Sequence, residues 1–300
     1  MCARRFRIKP VYLSLLPLWT LLFFQPAKQT AADARLDQAL AGVAGAAAQF
    51  LKSAPRYGAQ ETLKQKAIVT PRHASPADQT PDLTKDRQIL SVYALCGQAS
   101  RSGVIGAQSL REVRVIYEID GRSILPRAKA WSELQDAALV DLGRRPELGA
   151  EFERESLGDT AVDFGQILLL FQKASLPKYT FAVMKSERIG ADPALAISFE
   201  QQSGLASLHL NEAGKRSQTR LEGQIWVRAT DYLPLRIVLR AEREHKKVHI
   251  RDEAQVDYEP HQGTTLLPAS VSHRRYLDDH LRAESIYQYG EWLNLNPAMR

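Results

Sequence analysis

Cysteine is scarce in this chain, and its scarcity excludes a disulfide-stapled fold. The 300-residue sequence has two cysteines, Cys2 and Cys96. Cys2 lies in a basic leader that we expect to be removed, so the remaining chain would hold one cysteine and no internal disulfide. Cys96 stands in the strand-like string ILSVYALCG without a base to activate it, and we predict a small buried residue there. Stability must therefore come from a hydrophobic core.

The local motifs of common enzymes are also lacking. The sequence has no P-loop, no dinucleotide fingerprint and no G-x-S-x-G elbow, and GQASRSG at 97–103 does not fit the last of these. The DFG triplet at 163–165 comes without the glycine-rich and H-R-D loops of a kinase. We therefore expect a non-enzymatic protein without a cofactor. A hydrolase with no recognisable motif is kept as the second alternative.

Histidine and carboxylate pairs are present but fit structural roles. In HKKVH, His245 and His249 are four residues apart, which suits a zinc pair on a helix. The surrounding alternation predicts a strand, where two such residues lie roughly 13 Å apart, so we predict no metal site. Asp278 and Asp279 in LDDH favour a turn, because aspartate side chains bond their own backbone.

Positive charge is in clear excess only at the N-terminus. The whole chain has a net charge of +6, but residues 1–34 hold five basic residues and one acidic residue, and without them the net charge is +2. A nucleic-acid-binding protein needs a clustered basic face. We therefore exclude nucleic acid as a partner.

The first 34 residues have the three parts of a secretory signal peptide. A basic start, MCARRFRIK, precedes an apolar run from Val11 to Phe24, and small residues follow, with Ala32 and Ala34 at A-x-A spacing. The apolar run is shorter than the roughly 20 residues of a membrane span, and no second long apolar run follows. We predict cleavage near Ala34, export to the periplasm or cell envelope, and no transmembrane span in the mature chain. An uncleaved signal anchor is the alternative.

Residues 35–300 are interpreted as a single half-barrel domain with helices in two places. Apolar residues at helical spacing predict an amphipathic helix over 35–53 and a helical insert over 127–175, whose last helix covers 159–175. Stretches rich in valine, isoleucine and tyrosine predict strands over 61–69, 87–96 and 111–120.

From 179 to 294 the apolar period is two, and turn signals divide this part into about eight strands. Short links between consecutive strands make the neighbours antiparallel, so we predict a meander. Many strands alternate apolar and charged residues, as in LPLRIVLRAER, which is typical of a sheet wetted on one side. The predicted fold class is therefore α+β: a large curved antiparallel sheet, or incomplete β-barrel, covered by the N-terminal helix and the central helical insert.

This order of elements resembles the outer-membrane lipoprotein carrier-like (LolA-like) superfamily, whose fold is an incomplete β-barrel wrapped over helices. The local match lies in LEGQIWVRATDYLPLRIVL, where a G-x-(I/L)-W-(V/I) strand turns into a P-x-R strand, and YEPHQGTTLLPASVSHRRY is similar to the strand pair that follows. At the usual acidic position after Trp-Val the chain has Arg228, with Asp231 three residues later. REVRVIYEIDGRSI and ERESLGDTAVDFGQILLLF are similar to a family of uncharacterised exported bacterial proteins.

The resemblance implies a concave apolar surface that holds a lipid, such as a lipoprotein acyl chain, or another apolar ligand. The ligand-binding candidates on the apolar face are Ile225, Val227, Leu235, Ile237 and Leu239, with Trp226 as a sixth. Alternation places Trp226 on the side of Arg228. That side is either an outer face covered by a helix or loop, or a cavity face with a polar mouth. The alternative function is an envelope interaction or assembly factor that binds another envelope protein, for example by strand addition.

Overall fold

The computed structural model describes residues 31–69, 83–98, 110–139, 147–157, 164–202, 208–212, 215–245, 247–263 and 265–295. Its helices are α1 (Ala31–Ser53), α2 (Arg127–Leu139) and α3 (Glu147–Glu155), with 3₁₀ segments at Ala54–Arg56, Phe164–Phe171 and Leu176–Lys178. The predicted signal segment lies outside these ranges up to residue 30, and α1 begins ahead of its predicted start at 35. Within the described ranges, no helix is both long and apolar enough to span a membrane.

Fourteen strands are found in the described ranges, and every recorded pairing is antiparallel. Their bounds are β1 (Tyr57–Val69), β2 (Leu83–Gln98), β3 (Leu110–Ile119), β4 (Arg122–Ser123), β5 (Tyr179–Val183), β6 (Glu187–Ile189), β7 (Asp192–Gln201), β8 (Leu208–Glu212), β9 (Lys215–Arg228), β10 (Pro234–His245), β11 (Val248–His261), β12 (Thr265–Leu277), β13 (His280–Tyr289) and β14 (Leu293–Asn294).

The sheet is open, and its first strand lies near its middle. The strand order is β4-β3-β2-β1-β13-β12-β11-β10-β9-β7-β5, with β14, β6 and β8 paired to β1, β7 and β9 outside this path. Its two end strands, β4 and β5, are not paired with each other in the described part of the chain. The predicted α+β fold with a large, incomplete antiparallel barrel is confirmed. The pairing of β1 with β13 joins the N-terminal strands to the meander.

The part from 179 to 294 has ten strands where about eight were expected. One reason is that YTFAVMKSERI forms two strands, β5 and β6, which both pair with β7. Between them, Met184, Lys185 and Ser186 stand opposite two residues of β7, because Val183 pairs with Ile197 and Glu187 pairs with Ala194. The extra residue makes a bulge that interrupts the ladder. The other addition is β14, which pairs with the start of β1.

One face of the sheet packs against α1; we call it the inner face and the opposite one the outer face. The alanine-rich sequence of α1 favours a helix, and its apolar residues recur at spacings of three or four. Ala39, Val43, Ala47 and Phe50 are all 0 % exposed and join the main hydrophobic core. Because α1 also contacts β10, β12 and the 3₁₀ segment Phe164–Phe171, it covers the inner face together with that segment.

The helical insert divides between the two faces of the sheet. α2 packs against β2 and β3, where Ala130, Leu134 and Ala137 join an apolar cluster separate from the main core. That cluster lies on the outer face, since it contains Val92 and Ala94, whereas the alternate residues of β2 belong to the main core. Phe152 of α3 packs on the inner side. The insert therefore covers both faces where β2 and β3 are apolar on both sides.

The last helix expected in the insert is replaced by the 3₁₀ segment Phe164–Phe171, which we call the inner 3₁₀ segment. Gln166 departs from helical geometry within it, with φ −105° and ψ 17°, and all eight residues are buried. The apolar composition of this stretch predicts burial correctly. It does not predict the helix type, because a run that is buried all round has no amphipathic period to read. Residues 159–163 of the expected helix lie outside the described ranges.

The outer face of the central strands carries a row of charged residues. Successive register partners are Glu200, Glu222, Arg240, Glu253, Arg274, Glu284, Lys66 and Asp86, each on the next strand of the sheet. The sign alternates at every step except the first. Arg274 Nε contacts Glu284 Oε1 at 2.7 Å, and Arg240 Nε lies 3.7 Å from Glu222 Oε1. Opposite charges across adjacent strands support this register.

Candidate functional site

Four of the six predicted ligand-binding residues lie together on the inner face. Ile225 and Val227 of β9 and Ile237 and Leu239 of β10 all belong to the main core. Ile225 pairs with Ile237 across the two strands. None of the four is more than 1 % exposed, because α1 and the inner 3₁₀ segment complete the same core. A ligand could reach these side chains only if part of that cover moved.

Leu235 and Trp226 lie on the opposite, outer face. Leu235 does not continue the alternation of Ile237 and Leu239, because the register of β9 and β10 shifts between Pro234 and Arg236. This bulge turns Leu235 to the side of Trp226, and the two pack with Ala194 and Ala196 in a small outer cluster. The assignment of Leu235 to one apolar face with Ile237 and Leu239 is therefore corrected.

Trp226 is held by a hydrogen bond on the outer face. Its indole Nε1 donates to Glu187 Oε2 of β6 at 3.1 Å, and the residue is 9 % exposed. The sequence leaves two orientations open for the Trp226 side chain. In the structure it lies on the outer face, where β6 covers it. The packing of the Trp226 ring and the hydrogen bond of its N–H are those of a residue with a structural role.

The turn between β9 and β10 docks α1. Arg228 donates two hydrogen bonds to Asp231, at 2.9 and 2.7 Å, so the arginine found at the usual acidic position pairs with the displaced acid. Tyr232 has a positive φ of 57°, and its hydroxyl donates to Gln38 Oε1 of α1 at 3.1 Å. A Cβ at Gly42 would lie 2.8 Å from the Cβ of Tyr232. Glycine is thus needed for α1 to approach this turn.

Two side chains fix the inner 3₁₀ segment to the sheet. Gln166 binds both backbone groups of Leu110 in β3: its Oε1 accepts from the N–H at 2.8 Å, and its Nε2 donates to the carbonyl at 2.9 Å. The hydroxyl of Tyr258 in β11 accepts from the Leu168 N–H at 3.2 Å and donates to the Gly165 carbonyl at 3.1 Å. These bonds satisfy backbone groups of a buried segment.

A second set of polar contacts ties the end of α3 to the inner face. Gln65 of β1 accepts from the Leu157 N–H at 2.9 Å and donates to its carbonyl at 3.4 Å. The guanidinium of Arg87 in β2 donates to the Glu155 carbonyl at 2.7 Å. The segments after α3 are therefore held by side chains that the sheet projects inward.

Asp252 is the centre of a buried ionic cluster on β10, β11 and β12. Its Oδ1 lies 2.7 Å from His273 Nε2 and 2.9 Å from Arg275 Nε, and its Oδ2 lies 2.7 Å from Arg243 Nη1. Burial alone would raise the pKa of Asp252, but the hydrogen bond from His273 and the charge of Arg275 outweigh it and hold that pKa well below its usual range. The Phe164 ring lies 4.6 Å from the His273 ring and closes the cluster.

Glu61 and Arg114 form a second buried ion pair on β1 and β3. Arg114 Nε donates to Glu61 Oε1 at 2.8 Å, and its guanidinium lies over the rings of Tyr93 and Phe152 at 4.6 and 4.5 Å. Burial opposes the charge on Arg114, but Glu112 and Glu61 outweigh it and raise the pKa of Arg114 well above its ordinary value. Both clusters hold charges in fixed, paired positions, which a structural ion pair requires.

The histidine, acid and serine of this region do not form a site that a substrate could reach. His273 stands opposite Ser285 in the pairing of β12 and β13, but both are 2 % exposed or less. The Ser285 hydroxyl accepts a hydrogen bond from Gln65 at 3.1 Å.

Burial raises the pKa of the Cys96 thiol to about 11, so that thiol is protonated at neutral pH. Among the described residues, no cluster of three or more His, Cys, Asp or Glu side chains could hold a metal ion.

The inward-facing polar residues are absent from the predicted site, although the alternation of their strands contains a signal for them. Asp252 is in phase with Ile250, Ala254 and Val256, all of which are buried on the inner face. A charged residue at an apolar position of an alternating strand indicates a buried polar group. Glu61, Gln65 and His273 interrupt their strands in the same way. Tyr258 and Gln166 gave no such signal, because their roles depend on contacts between distant segments.

The outer face carries a shallow groove next to the end strand β5. Its volume is about 570 Å³, and it lies over β5, β7, β9 and β10. The small side chains of Thr180, Ala182 and Ser198 line one part of it, and Glu222 and Arg240 line another. This groove is separate from the inner-face residues predicted to bind a ligand.

Comparisons with known proteins give structural matches only. A scan against known protein families finds no match, and a search of curated proteins finds none either. Among solved structures, the chain is similar to a LolA superfamily protein, NE2245, from Nitrosomonas europaea, with 11 % identity over 84 % of this chain and 92 % of that chain and a TM-score of 0.31. It is also similar to a DUF1329 family protein from Desulfovibrio piger, with 12 % identity over 88 % and 92 % of the two chains and a TM-score of 0.36.

A third match is a domain described as a putative outer membrane lipoprotein-sorting protein from Vibrio parahaemolyticus, with 10 % identity over 86 % of this chain and 94 % of that chain and a TM-score of 0.32. These descriptions agree with the resemblance predicted from the sequence. The TM-scores lie below 0.5, and no conclusion about function follows from them.

Proposed function

We propose that this chain is an exported, non-enzymatic cell-envelope protein that holds a lipid or another apolar molecule against the inner face of its open sheet. The observation that supports this function is the kind of cover that the inner face has. Its apolar residues pack not against a second sheet but against α1 and the inner 3₁₀ segment. Both elements lie outside the ladder of strands, so they can move without breaking a strand pair.

The inner 3₁₀ segment is the weaker part of the cover. It is kinked at Gln166, whose φ and ψ are non-helical, and its 3₁₀ turns have hydrogen bonds of poorer geometry than those of an α-helix. The contacts of Gln166 and Tyr258 described above hold it to β3 and β11. An apolar ligand that displaced it would restore burial worth about 25 cal/mol per Å² of covered surface. Ligand binding would thus exchange one apolar cover for another.

The first test is the content of the purified protein. Native mass spectrometry before and after solvent extraction should show a bound lipid that extraction removes. Fractionation of the producing cells should place the protein in the periplasm or envelope and show its mass reduced by cleavage near Ala34. A protein that carries no lipid and takes up no apolar probe would contradict the proposal.

A substitution that loosens the cover gives a sharper test. Tyr258→Phe removes the two buried hydrogen bonds that its hydroxyl makes with Gly165 and Leu168, at a cost of about 1–3 kcal/mol. We expect the delipidated variant to bind cis-parinaric acid several-fold more tightly than the unchanged protein in a fluorescence titration, because the inner face opens more easily.

The matched control is Tyr276→Phe. Tyr276 lies in β12 with its ring 4.2 Å from the Arg251 guanidinium. Because side chains alternate along the strand and His273 and Arg275 face inward, Tyr276 faces outward. Loss of its hydroxyl should leave probe affinity unchanged. Equal effects of the two substitutions would show that probe binding does not depend on the inner cover.

A further inference from the structure

β5 and β4 end the sheet in very different ways. β4 has two residues, both exposed. Near it, the Tyr117 carbonyl of β3 accepts from the N–H groups of Ile124 and Leu125, and at the other end of β3 Gln166 binds the backbone groups of Leu110. This edge is short and partly covered, as protected sheet edges are. β5 has five residues, none of them charged and none of them proline.

The outer edge of β5 directs backbone groups away from the sheet. The Gln202 N–H donates to the Lys178 carbonyl, and the Met184 N–H donates to the Ala196 carbonyl. Because ladder bonds in an antiparallel pair recur at every second residue, Thr180 and Ala182 also face β7. Phe181 and Val183 therefore point their N–H and C=O groups to the other side, where the described residues contribute no strand.

Two exposed lysines flank this edge. Lys178 comes immediately before β5, and Lys185 follows it after one residue. Neither lysine takes part in an ion pair within the described part of the chain. In a self-pairing of two copies centred on Phe181, Lys178 of one copy would stand opposite Met184 of the other, one residue from its Lys185. Such like-charge contacts disfavour a second copy of this chain and favour a segment with acidic ends.

We propose that β5 is a docking edge for an extended segment of another protein, which adds as a further strand and carries acidic residues at both ends of an uncharged stretch. Its backbone pairs with Phe181 and Val183, and its terminal carboxylates meet Lys178 and Lys185. Side chains on the outer side of the added strand lie next to Thr180 and Ala182, whose small size leaves the groove open. Because both ends are acidic, the charge match holds in either strand direction. Strand addition of this kind gives affinity through the main chain and specificity through side chains.

The test uses labelled octapeptides, which are long enough to reach from Lys178 to Lys185. The probe has glutamate at each end around alternating threonine and valine, with blocked termini. One control has lysine at both ends, and another has N-methyl groups on alternate residues. In fluorescence anisotropy we expect the glutamate-ended peptide to bind about tenfold more tightly than the lysine-ended one, from two exposed ion pairs and the loss of repulsion. We expect N-methylation to weaken binding by at least tenfold, because it removes the main-chain donors.

The protein variant Lys178→Glu/Lys185→Glu reverses the flanking charges at exposed positions, so the fold should be unchanged by circular dichroism. It should prefer the lysine-ended peptide by a similar factor. Hydrogen exchange should show protection of the Phe181 and Val183 amides only when a matching peptide is bound.

Three outcomes would overturn the proposal. The N-methylated peptide could bind as well as its parent, which would show charge attraction without strand pairing. The two peptides could bind the variant and the unchanged protein alike. Sedimentation could show a stable dimer in which the Phe181 and Val183 amides are already protected, which would make a second copy the occupant. None of these results bears on lipid binding at the inner face.

Discussion

On the inner face, Asp252 is 2 % exposed and is bound by His273 and two arginines, whereas on the outer face Arg274 meets Glu284 with 51 % of its side chain exposed. His273 and Arg274 are consecutive residues of one strand, so the same backbone presents both. The inner charges are cut off from water and depend on each other. The outer pair keeps part of its hydration, with 21 % of the Glu284 side chain also exposed, so its pairing contributes less to stability. Both faces contain ion pairs, and the two sets of pairs differ in how deeply their charged groups are buried.

The strongest test of this contrast is Asp252→Asn. The substitution keeps the size of the side chain but leaves Arg243 and Arg275 without their carboxylate. Breaking a buried pair typically costs about 3–5 kcal/mol, and we expect a loss of that size in the free energy of unfolding by urea at pH 7. Asp257→Asn is the control, because Asp257 pairs with Arg236 where both side chains are partly exposed. It should cost far less.

The difference in stability between the unchanged protein and Asp252→Asn should depend on pH. The pKa of Asp252 is lowered in the folded protein, so its stabilisation is present above the ordinary aspartate value of about 4 and is lost as the pH falls below it. The gap in stability between the unchanged protein and Asp252→Asn should therefore shrink by about 1 kcal/mol for each pH unit below about 4. A gap that stayed constant from pH 7 to pH 2.5 would show that the carboxylate charge is not what the cluster requires.

A smaller effect is expected from apolar residues that face opposite ways in β10. Ile237 is 0 % exposed on the inner face, and Val238 lines the outer groove. Ile237→Ala should lower the free energy of unfolding by about 2–5 kcal/mol through lost burial and a cavity. Val238→Ala should cost about 1 kcal/mol or less. Chemical denaturation of both variants measures the difference, and equal losses would mean that the two faces are equally packed.

The smallest effect is expected in the outer charge row. Arg274→Ala removes the contact with Glu284 and should cost about 0.2–1 kcal/mol. A double-mutant cycle with Glu284→Ala isolates the pair energy, which should fall further in 1 M salt, where the Debye length is about 3 Å. A coupling energy above about 2 kcal/mol that resists salt would place this outer pair among the buried ones.

The sequence predicts the inner and outer faces wherever alternation is unbroken. Ile225, Val227, Ile237 and Leu239 lie on one face as their spacing requires. Leu235 does not, because a bulge beside Pro234 inserts one residue, and a bulge leaves the apolar pattern of the strand unchanged. The spacing of apolar residues therefore gives the face of a residue only when the register is known.

Features that join distant parts of the chain could not be predicted from the sequence in this way. The sequence predicts helices in the insert. It does not predict that α2 packs on the outer face and the inner 3₁₀ segment on the inner face. The contact of Tyr258 with Gly165, like that of Tyr232 with Gln38, depends on three-dimensional proximity alone. Local periodicity carries no information about such pairs.

The place of β1 in the sheet affects how the chain can fold as it is made. β1 pairs on one side with β2 and on the other with β13, where Glu61 stands opposite Tyr289. A chain whose synthesis has not yet passed residue 280 has two unfinished edges in the middle of its future sheet, on β1 and on β12. Pairing over so long a loop is slow, and open edges of this kind promote aggregation. The last tenth of the sequence therefore closes the fold, and a protein that ended before β13 would be exposed along the line where its two halves meet.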